Sequence, residues 1–216
     1  MQFGVVTFAF VAAGLLAGPV LALVSLSLPR GGSVTVRRRA LRYAGFAVAA
    51  AVLGGWAALS QDTVSAALLT AVLGWGLLLV AVIDAEHHWL PDELTLPLGA
   101  AGLGAALLPG GTGLLNAGIG AAAGFAALWL LAFAYRRVRG RDGLGGGDPF
   151  LLAAGGAWVG WMGLPSVLLW AVAAGLCLVL TRAAMRKPVA APDRLAFGVC
   201  LAIGIWMTWI LGPPGL

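Results

Sequence analysis

Two short polar stretches interrupt an otherwise apolar chain: IDAEHHWLPDELTLP, residues 83–97, and RDGLGGGDPF, residues 141–150. Between them they hold Asp84, Asp92 and Asp148, and the first also holds both histidines of the chain. Acidic groups are costly in hydrocarbon unless they are paired or wetted, so these stretches are surface loops or parts of a site. Two carboxylates brought together cannot both ionise cheaply; one keeps a proton while the other can take one from water. A pair in that state can hydrolyse an amide. The ionised member activates water, and the protonated member polarises the carbonyl and later helps protonate the leaving amine.

Each acid also has a purely structural reading. Pro91 disfavours a helical conformation at Leu90, so Asp92 would cap a new helix with Thr95 in its first turn. Asp148 before Pro149 likewise reads as a helix N-cap with proline at the first helical position. That reading leaves the loop composition unexplained, since four of the five residues 143–147 are glycine. Residue types alone do not choose between Asp84 and Asp92 as the partner of Asp148.

Competing chemistries are poorly served. His87 and His88 are adjacent, so on a helix they point in different directions and make a poor metal pair; Trp89 beside them suits an interfacial anchor. Cys177 and Cys200 lie in separate apolar stretches and read as inert buried thiols. No serine has a histidine near it in sequence, and the glycine-rich loop lacks the Gly-Lys-Ser/Thr ending of a phosphate loop. No metal and no cofactor is expected.

The elements that must position these acids are membrane helices. With 61% hydrophobic and only 10% charged residues, the 216-residue chain falls outside ordinary soluble composition. Its 33 glycines suit helices that associate by close backbone approach. The apolar runs predict an all-α, polytopic transmembrane bundle of about eight spans, near 3–28, 41–59, 64–83, 94–109, 113–134, 149–163, 165–181 and 194–211. One membrane-embedded domain over 1–216 is expected, with a core at about 64–182, and the first run reads as a retained span rather than a signal peptide. With eight spans, all thirteen basic residues fall on one side: Arg30 to Arg42, Arg136 to Arg141, and Arg182 to Arg194. By the positive-inside rule that side is the cytoplasm, and it also carries Asp84, Asp92 and Asp148. The net charge of +5 is then a topological signal, and no nucleic-acid partner is expected.

The two polar stretches together resemble the aspartate motifs of bacterial type IV prepilin leader peptidases. IDAEHHWLPDELTLP is similar to the first, and GLGGGDPFLLAAGGAWVG to the glycine-any-glycine-aspartate motif with its following apolar helix. GLLAGPVLALVSLSLPRG is similar to the family's first span and the proline-arginine that ends it. The resemblance implies a polytopic inner-membrane aspartic peptidase of the glycine-any-glycine-aspartate type. It would cut basic leaders from prepilins, or from the pseudopilins of type II secretion, on the cytoplasmic side. It places the catalytic pair on Asp84 and Asp148, the motif glycines on Gly145 and Gly147, and a supporting role on Asp92. The implied partner is a substrate with a basic leader and an apolar helix, met at a surface where the loop arginines gather anionic membrane lipids.

Three departures from the family accompany the match. The interval GGSVTVRRRA lacks the cysteine-rich insert associated with N-methylation, so methyltransferase activity is expected to be absent. Phe150 and Asp142 stand where the family has lysine and glutamate, and the stretch after Arg194 matches the last span loosely. The alternatives are an inactive relative serving as a membrane assembly component and a proton- or cation-coupled transporter. The transporter is disfavoured because the expected spans carry no acids at mid-depth.

Overall fold

The computed structural model describes residues 2–28, 36–141, 143–185 and 196–212. Arg30, Asp142, Arg186, Lys187 and Arg194, to which the sequence reading gave topological or motif roles, lie outside the described residues. The described chain is helical: α1 (Gln2–Ser27), α2 (Val36–Ser60), α3 (Val64–His87), α4 (Asp92–Ala105), α5 (Leu114–Arg139), α6 (Asp148–Ala184) and α7 (Phe197–Leu211). Five of these helices, α1, α2, α3, α5 and α6, are long and apolar enough to cross a membrane, where the sequence reading counted eight spans. Large apolar side chains such as Phe8, Leu16 and Leu115 face outward, as a lipid-facing surface requires. The chain divides into two compact units, Met1–Val82 and Ile83–Leu216, with α3 running from one into the other.

In the first unit α1 and α2 lie antiparallel and touch through small residues. A methyl group added at Gly14 would collide with the backbone of Ala50 and Ala51, one at Gly18 with Ala47, and one at Gly54 with Phe10. Trp75 of α3 donates its indole N–H to Ala50 O at 2.9 Å, and Arg42 donates to Ser25 Oγ at 2.9 Å. Phe10, Ala57, Ala58, Ala67 and Ala71 form the core of this unit.

The second unit is built around α6, which packs on α4, α5 and α7. Its approach to α5 depends on glycine: Gly120 meets Gly156 backbone to backbone, and a methyl group on Gly124 would stand 2.6 Å from Leu152 O. Its approach to α4 is closed by Trp158, whose indole N–H donates to Leu98 O at 2.8 Å while its ring fills the space over Gly102. At Gly160 the helix breaks, with φ 71° and ψ 174°. The neighbours along α7 show what this does. Before the break Gly155 meets Ile205 and Trp158 meets Trp209; after it Ser166 meets Thr208 and Val167 meets Gly204. The order along α7 reverses, so α6 is a hairpin of two helical arms. These arms correspond to the sixth and seventh expected spans, with the break at Gly160 rather than at Leu164. The displacement has a physical reason: the reversal needs a left-handed φ that glycine adopts without strain.

Candidate active site

Asp84 sits one turn before the end of α3. His88 donates its N–H to Asp84 O at 2.9 Å and then takes a left-handed φ of 51°, which stops the helix. The chain then turns through buried Leu90 and Pro91 into α4. Asp92 is the first residue of α4, with Pro91 as its N-cap and no side-chain capping bond, so the expected capping role for Asp92 is not what the structure has. Proline already supplies the extended backbone at that position, which leaves Asp92 in the first turn, exposed. Thr95 is 1% exposed, and its hydroxyl has no hydrogen-bond partner among the described residues.

Asp148 begins α6, and here too the expected cap is displaced: Gly147 is the N-cap and Pro149 the second helical residue. The carboxylate is turned backward instead, and its Oδ2 accepts the Gly145 N–H at 2.9 Å. The Asp148 N–H in turn reaches Gly145 O at 3.3 Å, so the loop closes on itself. This closure explains two of the glycines. A methyl group on Gly145 would lie 3.1 Å from Asp148 Oδ2, and one on Gly147 would lie 2.5 Å from Leu90 Cβ. Nothing in the structure requires glycine at 146, which has open space around it.

Asp84 and Asp148 are 5% and 3% exposed and line one cavity of about 680 Å³. Each is tied to a backbone N–H through its Oδ2, Asp148 to Gly145 and Asp84 to Val199 of α7 at 3.2 Å. Asp92, Gly145 and Gly147 line the same cavity, so every site residue selected from sequence is brought together. Arg136, Phe150 and Phe197 also line it and had not been selected for it. The link from Asp84 to Val199 spans 115 positions of sequence, and no local pattern around Val199 signals it. No group of three or more histidine, cysteine or acidic residues suited to a metal occurs among the described residues. Two buried carboxylates facing one cavity are equipped for general acid and base work on a bound polar group.

The fold and site thus define a multi-pass α-helical membrane protein with a paired-aspartate cavity. Residues 71–180, about half of the chain and including both aspartates, match the model of the type IV leader peptidase family, and the chain belongs to that family. It is 40% identical over 171 residues to a prepilin leader peptidase/N-methyltransferase of Aeromonas hydrophila, covering 77% of this chain and 54% of the relative. A protein of the same description from Pectobacterium carotovorum is 46% identical over 128 residues, covering 59% and 46%. One from Pseudomonas aeruginosa is 35% identical over 187 residues, covering 86% and 64%. The chain thus spans about half the length of the first two relatives and somewhat more of the third. No solved structure matches.

Proposed function

We propose that this chain is an endopeptidase that removes the leader of type IV prepilins, or of type II secretion pseudopilins, at the cytoplasmic face of the bacterial inner membrane. One observation carries the reading: the buried carboxylates of Asp84 and Asp148 share a cavity, each anchored by one oxygen to a backbone N–H. The family relationship supplies the substrate class. With one proton shared by the pair, the ionised aspartate takes a proton from water as its oxygen attacks the scissile carbonyl carbon. The protonated aspartate gives its proton to the carbonyl oxygen. Collapse of the tetrahedral intermediate breaks the C–N bond: the proton taken from water passes to the departing amine, and a hydroxyl proton of the intermediate returns to the other aspartate, restoring the singly protonated pair. Anchoring both carboxylates keeps this geometry through the cycle.

Asp92 has a supporting role in this reading, as its exposed place on the cavity rim suits contact with a polar leader. Methyl transfer is proposed to be absent, since the interval between α1 and α2 holds no cysteine and the two cysteines of the chain are Cys177 and Cys200. The cytoplasmic orientation is supported by Arg136, Arg137, Arg139 and Arg141, which cluster at the end of α5 and in the stretch that leads to Asp148.

The test is cleavage of a co-expressed prepilin by wild type, Asp84→Asn, Asp148→Asn and Asp92→Asn at matched membrane levels. Loss of on the order of 10³-fold or more is expected for the first two variants, with substantial activity kept by Asp92→Asn. Cleavage that survives either dyad substitution rejects the mechanism.

A further inference from the structure

The structure gives Asp84 a neighbour from an unexpected quarter. Gly198, the second residue of α7, packs so closely against the carboxylate that a methyl group there would stand 2.7 Å from Asp84 Oδ2 and 3.1 Å from Leu90 Cδ1. The next residue, Val199, donates its N–H to that same oxygen at 3.2 Å. Phe197 lines the cavity, and Cys200, one residue beyond Val199, is 3% exposed, so the first turn of α7 is seated against the site rather than frayed from it. These residues lie beyond the 71–180 stretch that matches the family model.

We infer that Gly198 is a positioning residue: its bare Cα lets the first turn of α7 close on Asp84, so that Val199 N–H fixes the direction of the Asp84 carboxylate within the cavity. Val199 N–H also reaches Ala196 O at 3.2 Å, so the first turn of α7 shares this donor between its own N-cap carbonyl and the Asp84 carboxylate, which the N-terminal end of a helix complements. A side chain at 198 would push α7 back and lengthen the bond. Asp84 would stay buried yet point wrongly. A misplacement of about 1 Å can cost a rate on the order of a hundredfold while leaving binding intact. The role rests on the reading of Asp84 as a reacting group under Proposed function; the contact itself does not.

Two measurements on the purified full chain separate the contact from the role. The first is a double-mutant cycle on thermal stability with Gly198→Ala, Asp84→Ala and the pair. If Gly198→Ala acts by colliding with the carboxylate, it lowers Tm in wild type and does so markedly less when Asp84 is trimmed. Additive effects overturn the contact as the reason for glycine. The second is steady-state cleavage of a prepilin by Gly198→Ala. A fall in kcat of tenfold to a hundredfold is expected, with KM within about twofold of wild type. An unchanged kcat, or a loss confined to KM, overturns the positioning role. Should Gly198→Ala fail to accumulate, Val199→Pro removes the donor in a first turn that tolerates proline, and the same kcat loss is expected. Undiminished cleavage by Asp84→Asn overturns the proposed function and the positioning role with it, whatever the cycle shows.

Discussion

Asp148 owes its orientation to the loop that precedes it, and the glycines of that loop have unequal duties. Gly147 has no room for a methyl group against Leu90, Gly145 has little room beside Asp148 Oδ2, and Gly146 has open space. Alanine at each should therefore grade the loop's requirements. Gly147→Ala is expected to reduce both stability and cleavage, Gly145→Ala to slow cleavage with a small stability change, and Gly146→Ala to leave both near wild type. Cleavage kinetics and Tm of the three variants check the order, and a damaging Gly146→Ala would contradict it. Leu90 joins this loop to α7, since it stands against both Gly147 and Gly198. Leu90→Ala should cost about 2 kcal/mol or more of stability in denaturant titration and lower cleavage as well. At this scale the sequence singled out the acids that come to line one cavity but was silent about how they are held. Asp84, Asp92 and Asp148 announce themselves because charge is rare in so apolar a chain. Capping logic then misplaced Asp92 and Asp148 by one residue, because Pro91 and Gly147 supply the non-helical backbone and the Asp148 carboxylate bonds backward to Gly145.

The decisive element is α6, whose two arms depend on the left-handed backbone at Gly160. Space around Gly160 is adequate, with the nearest side-chain atoms 3.9 Å from an added methyl group, so alanine there tests backbone conformation rather than crowding. Gly160→Ala should cost on the order of 1–2 kcal/mol, whereas Gly118→Ala, in open space on α5, should be neutral or slightly stabilising; chemical denaturation in detergent compares them. Hydropathy made most of these helices legible, since the apolar runs are long and their ends are marked by charge or glycine. It placed the reversal at Leu164, four residues late, because lipid-compatible residues continue on both sides of Gly160 and a turn inside a bundle needs no polar signal. It also could not show that Trp158 closes α4 onto α6 through Leu98 O, a bond between residues 60 positions apart.

For the whole molecule, charge and length are the governing quantities. Arg136 lines the cavity while Arg137 lies 5.9 Å from the centre of the Phe133 ring one turn earlier on the same helix, so the basic end of α5 borders the candidate site. Under the proposed function, replacing Arg136, Arg137 and Arg139 by glutamine should reduce cleavage several-fold in anionic vesicles and much less in zwitterionic ones, as reconstituted assays would register. Length acts in the second unit. The arm of α6 that starts at Asp148 runs twelve residues before Gly160, α4 has 14 residues and α7 has 15. At about 1.5 Å per residue these rods measure roughly 18–23 Å, against a hydrocarbon core of about 30 Å. Lipid beside them must thin, or water must reach inward, to meet their ends. A peptide bond embedded beside a full-thickness bilayer is starved of the water that hydrolysis consumes. Under the proposed function, the short helices around Asp148 would act as a dent in the membrane, bringing solvent toward the carboxylates without requiring them to rise out of the fold.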